Sequence, residues 1–175
     1  MYFMKIALIL YGGALALAGS GAQAGSASPL EVKIELRVLD FIAEPADRSM
    51  VAVLYDRDRA GSVQEATAIL NSLQDLAGLA RSKIAPQLVE IRSLAGLKGV
   101  KAAILTDGLD QAAVLKYGIA NQTLVVAAGT ACVKEHRCMV GVATVPEIEI
   151  GVNRAAIDQG HIRFADGFEL MVKEY

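Results

Sequence analysis

Tryptophan is absent, aromatic residues make up only 5 % of the chain, and no block of basic residues occurs. Nucleic-acid recognition needs a concentrated cationic face and, for single strands, stacking platforms. With 17 basic against 19 acidic residues and a formal charge of −2, the chain supplies neither, so nucleic acid is excluded as a partner. Cysteine and histidine each occur twice. The sequence holds no G-x-S-x-G, no G-x-x-x-x-G-K-[ST], no H-E-x-x-H, and no G-x-G-x-x-G after a strand, which removes the common hydrolase, nucleotide and zinc-protease signatures.

What is present is apolar. Hydrophobic residues reach 54 % and charged residues 21 % over 175 positions. That is ample surface to bury and enough length for one domain of ordinary size. The N-terminus reads as an export signal over 1–24: Lys5, then the apolar run Ile6–Ala18, then Ala22-Gln23-Ala24 as a cleavage site. The run is broken by Gly12-Gly13 and falls short of the about 20 apolar residues a membrane span requires. The expectation is a periplasmic protein with no membrane insertion, a flexible leader over 25–30 and one domain over 31–175.

That compartment bears on the cysteines. Cys132 and Cys138 bracket Val-Lys-Glu-His-Arg, and an oxidising compartment favours a disulfide closing a small surface loop. A metal site using His136 is the alternative. Structural zinc, however, takes four ligands, and the only other histidine is His161. No metal and no cofactor is expected.

Along the domain, Glu31–Ile42 reads as an amphipathic helix with Ile34, Val38 and Phe41 at helical spacing, ended before Pro45. Met50–Tyr55 is a continuous apolar run suited to a strand buried on both faces. Ser62-Val63-Gln64-Glu65 reads as a capping box opening a helix to Leu76. Strands are expected at Gln87–Ile91, Lys101–Leu105 and Thr123–Ala127, with a helix over Leu109–Tyr117 closed by Gly118. Met139–Ala143 and Glu147–Val152 follow as strands with no helix between them, so they read as a hairpin. A short helix over Asn153–Asp158 stopped by Gly160, and a last helix over Gly167–Lys173 capped by Asp166, complete the chain. Strands alternating with helices predict an α/β single domain, a three-layer, mostly parallel sheet with flanking helices.

No catalytic set emerges, and the chain reads as non-enzymatic. Arg59, Gly61 and Ser62 follow the first strand at the end where open α/β sheets place ligands, and are a candidate anion contact at a helix start. Thr106-Asp107-Gly108 ends the third strand, with Asp107 read as a helix cap.

The segment Glu31–Pro45 followed by Met50–Asp56 resembles the opening of the YfiR-like periplasmic family, and Glu147–Val152, Asn153–Ala156 and Ile162–Leu170 resemble its close. A cysteine-flanked loop before the closing strand, here Cys132 to Cys138, also recurs in that family. The chain departs from it in having Ala43-Glu44-Pro45 without tryptophan and a single cysteine pair. The resemblance implies a regulator that binds the periplasmic sensor region of an inner-membrane signalling protein, a diguanylate cyclase, and represses it. Such regulators are often homodimers. On that reading the partner-binding residues are Ile34, Arg37, Val38 and Phe41 of the first helix with Lys134 and His136 of the loop. Asn153–Ala156 with Gly160, together with Thr106-Asp107-Gly108, is also similar to one lobe of ABC-type substrate-binding proteins. The alternative function is therefore a single-lobe solute-binding protein.

Overall fold

The computed structural model describes residues 27–43, 49–81 and 83–175; the segment 1–24 expected to be an export signal and Pro45 lie outside them. Seven strands form one sheet in the order β2-β1-β3-β4-β5-β6-β7. They are β1 (Ser49–Tyr55), β2 (Ile84–Glu90), β3 (Val100–Leu105), β4 (Leu124–Ala128), β5 (Val140–Ala143), β6 (Glu149–Val152) and β7 (Lys173–Glu174). The first five run parallel, β6 turns back antiparallel to β5, and β7 adds parallel to β6. Continuous apolar runs form the middle of the sheet because both faces are covered: Val53, Ala103, Ile104 and Val125 are wholly buried.

Helices α1 (Pro29–Leu39) and α2 (Ser62–Leu76) pack on each other, as do α3 (Gln111–Asn121) and α5 (Arg154–Gln159); α4 (Ala131–Lys134) is one turn. The chain leaves β1 toward one side of the sheet and leaves β3 toward the other. Right-handed crossovers therefore put α2 and α3 on opposite faces, which gives the three layers.

Several local expectations change. Helix α1 starts at Pro29, inside the expected leader, because Ser28 and Glu31 form a reciprocal capping box: Glu31 N–H donates to Ser28 Oγ (3.2 Å) and Ser28 N–H to the Glu31 carboxylate (2.7 Å). Its buried face is Val32, Glu35, Leu36, Val38 and Leu39, while Ile34 and Phe41 are only half-buried. Strand β2 begins at Ile84 and runs through Pro86, which lacks an N–H but is tolerated because β2 is an edge strand. Gly118 does not close α3. It sits inside the helix, where a Cβ would come within 2.7 Å of the Thr123 carbonyl oxygen, so the absent side chain lets α3 approach β4. The left-handed exit falls on Gln122 (φ 55°). Likewise Gly160 is right-handed and His161 takes the positive φ. The expected last helix is a 3-10 turn, Phe168–Met171, entered through Gly167 (φ 90°) without a cap from Asp166, and then β7.

The exit of α1 is fastened to the C-terminal segment. Ala43 N–H donates to the Arg163 carbonyl (2.8 Å) and Ala165 N–H to that of Phe41 (2.7 Å). Phe168 is buried between Phe164 and Phe41, with ring centroids 4.0 Å and 5.6 Å away.

Candidate functional site

In sheets of this type the crevice outside the carboxyl ends of the strands, at the point where strand order reverses, is where ligands settle. Here the reversal lies between β1 and β3. The turn after β1 brings Asp56, Arg59 and Gly61; the turn after β3 brings Thr106, Asp107 and Gly108.

A chain of hydroxyls joins the two turns. Thr106 Oγ1 donates to the Leu54 carbonyl (3.0 Å), so its own oxygen is left to accept from Ser62, 2.9 Å away, and Ser62 Oγ accepts from Asp56 N–H (3.0 Å). Ser62 therefore has no donor to spare and is buried. Its N–H also donates to the Arg59 carbonyl (3.2 Å), so hydroxyl and amide are both engaged; the capping box with Glu65 does not form, since the N-cap of α2 is Gly61 (φ 85°), with no side-chain cap. Glu65 instead crosses to the other turn and accepts from Asp107 N–H (3.1 Å), while Asp110, not Asp107, caps α3. Burial raises the Glu65 carboxyl above the usual carboxylate range, against the lowering effect of that hydrogen bond. Arg59 Nη1 donates to the Gly108 carbonyl (2.5 Å), and its guanidinium occupies the space a side chain at position 108 would fill. Around this edge Arg57 pairs with Glu90 (3.1 Å) and Arg92 pairs with Asp58.

The buried face of α1 carries an acid. Glu35 is wholly buried and neither carboxyl oxygen has a hydrogen-bond partner. Burial, with the like charges of Glu31 and Glu65, pushes its pKa up to about 8. The signal was legible in the spacing, because Val32, Leu36 and Leu39 bracket Glu35 on one helical face.

The second region is the disulfide crossover. Cys132 and Cys138 are bonded, with Cα atoms 5.4 Å apart, which decides against a metal at this loop; no group of three or more potential metal-binding side chains occurs among the described residues. Gly141 and Gly151 face each other across the β5–β6 ladder and form a floor for this crossover. A Cβ at Gly141 would lie 2.5 Å from Val133 Cγ2, and one at Gly151 would lie 3.0 Å from the Tyr175 ring. Tyr175 closes the corner: its hydroxyl donates to Glu149 (2.6 Å), which holds the Glu149 carboxyl below its ordinary range. Lys134 sits 3.8 Å from Glu149 and 5.2 Å from the Tyr175 ring centroid.

The residues expected to bind a partner divide accordingly. Lys134 and His136 are exposed on the disulfide loop. Arg37 is exposed but engaged with Asp40 (3.2 Å) and the Leu79 carbonyl (3.3 Å). Val38 is 1 % exposed, so it faces the core and is removed from any contact surface. Phe41 packs on Phe168 and Ile34 packs on the core, so both serve chiefly to dock α1. Of the predicted residues on α1 and its exit, only Arg37 is exposed. Instead, exposed Val145 and Ile148 on the way into β6 stand at the same sheet end as exposed Leu170 and Met171 on the way into β7, its parallel neighbour.

No protein-family model matches the sequence, and no curated protein matches it. The fold does resemble a solved structure. The ABC domain from Streptococcus pneumonia, in complex with L-Trp, superposes with a TM-score of 0.57 at 8 % identity, over 82 % of this chain and 60 % of that one. The likeness is one of α/β fold, and this chain spans less than two thirds of its neighbour's length. No helix among the described residues is long and apolar enough to cross a membrane.

Proposed function

We propose that this chain is an exported, non-enzymatic binding protein that docks on the periplasmic region of an inner-membrane signalling protein and holds it inactive. The YfiR-like resemblance makes a diguanylate cyclase the partner type. The observation that carries the reading is the corner beside the disulfide crossover. Val145, Ile148, Leu170 and Met171 are 83, 60, 91 and 48 % exposed there. Large apolar side chains gathered at one sheet end, with basic Lys134 alongside, are the composition of a protein-docking surface. The disulfide and the glycine floor keep that corner rigid, which limits the entropy lost on docking.

The test is an in-cell crosslink of the tagged full chain, followed by membrane solubilisation and mass spectrometry. Enrichment of a cyclase-bearing membrane protein, lost in Val145→Asp and Leu170→Asp variants that melt like the parent, is the expected result. No enrichment, or enrichment that both variants keep, refutes the proposal.

A second reading has its own support. The strand reversal between β1 and β3, and the fold likeness to a domain that holds L-Trp, favour a single-lobe solute-binding protein linked to an ABC transporter. That reading expects the melting temperature to rise with a specific small molecule such as L-Trp, by mass action. It fails if a screen of amino acids gives no saturable shift.

A further inference from the structure

At the sheet end opposite the strand reversal lies a cavity of about 720 Å³, within the range of small-molecule sites, about 300–1,000 Å³. It opens to solvent and is lined by the start of β3, the exit of α3, the exit of α5 and Ile42 after α1. Its polar wall carries Lys101, Arg163 and His161, and no aspartate or glutamate among the described residues lines it. None of these three side chains makes an ion pair or hydrogen bond to another described residue. That sets Arg163 apart from Arg57, Arg92 and Arg154, each of which has a carboxylate partner. Ile42 and Ile162 supply an apolar wall.

The backbone is arranged to build this rim. Gln122 (φ 55°) and His161 (φ 53°) are two of the three non-glycine residues with positive φ among those described, and both line the cavity. Each turns the chain at the end of a helix and so brings two helix exits to one rim. A helix C-terminus carries at most about half a negative charge. Those of α3 and the short α5 therefore leave the two formal charges of Lys101 and Arg163 in excess.

We propose that this cavity binds a small organic dianion of the phosphate-monoester type. Arg163 and Lys101 hold the charged group, Arg163 through its planar fork of donors, and the organic part lies against Ile42 and Ile162. The site is separate from the docking corner and does not depend on the partner proposed above.

Phenyl phosphate is the probe and phenol its neutral control, titrated into the purified protein and followed by melting temperature and calorimetry. Phenyl phosphate is expected to give a saturable rise that phenol does not. Lys101→Gln and Arg163→Gln, both surface changes checked by circular dichroism, are each expected to weaken binding at least ten-fold. Absence of a saturable rise, or a rise that either variant retains in full, overturns the proposal. Inorganic phosphate binding as tightly as phenyl phosphate would remove the apolar wall from the site and overturn its organic part.

Discussion

Replacing Glu35 by glutamine probes a buried acid whose environment is unfavourable from every side. Its carboxyl is fully enclosed, neither oxygen is hydrogen-bonded, and the charges of Glu31 and Glu65 acting on it are of like sign. The folded-state pKa of about 8 lies above the value of 4.5 for the free group. Between these values the folded protein holds a proton that the unfolded chain has released, so stability falls as pH rises through this window. Full ionisation of the folded state corresponds to a loss of about 5 kcal/mol, and the part realised at pH 7 is about 3 kcal/mol. Helix α1 stays docked because Val32, Leu36, Val38 and Leu39 are buried with it, each contributing about 1.5–3 kcal/mol. Urea unfolding at pH 4, 7 and 8.5, followed by far-ultraviolet circular dichroism with the disulfide intact, measures the effect. Glu35→Gln is expected to gain about 3 kcal/mol on the parent between pH 4 and pH 7, and more at pH 8.5. Parallel pH profiles for the two proteins would refute the placement of Glu35 or the absence of a partner for it.

The remaining predictions concern the frame around the two regions. Cys132→Ser with Cys138→Ser removes a six-residue closure and is expected to cost about 2 kcal/mol in urea unfolding; an unchanged midpoint would show the bond absent in solution. Gly141→Ala forces a methyl group against Val133 and is expected to destabilise by about 1–3 kcal/mol, read as a lower melting temperature, whereas Gly61→Ala, with open space around it, meets only backbone strain. Thr106→Val strips the Leu54 carbonyl of its side-chain donor and the Ser62 hydroxyl of its acceptor, an expected loss of about 1–3 kcal/mol; a neutral result would mean water replaces the hydroxyl there. Phe168→Ala opens a cavity between Phe41 and Phe164 and is expected to cost about 3–5 kcal/mol, with faster hydrogen exchange in the segment after α1.

Hydropathy and turn chemistry were enough to place the central strands β1, β3 and β4, because a strand covered on both faces must be apolar throughout, as Met50–Leu54 and Ala102–Leu105 are, but they set edge strand β2 three residues late and missed the two-residue β7. The hairpin of β5 and β6 followed from two runs with no helical pattern between them, and the disulfide from the spacing of the cysteines and the oxidising compartment expected for them. The local signals failed where the same residue has two uses. Ser62 and Glu65 have capping-box spacing, yet both side chains are taken by the turn after β3, a contact made over more than forty residues. Gly118 and Gly160 look like helix stops, and only the approach of β4 to one and of Met139 to the other shows that they were needed for their small size. In α1 two apolar stripes compete, Val32-Leu36-Leu39 and Ile34-Val38-Phe41, and the polar Glu35 within the first directs a sequence reader to the second. Packing against α2 and the sheet chose the first together with Val38 from the second, because these four well-buried apolar side chains outweigh one protonated carboxyl. The cationic cavity was legible at no level of the sequence, since Lys101, His161 and Arg163 are drawn from β3 and the segment after α5, and sixty positions of chain separate them until the sheet closes.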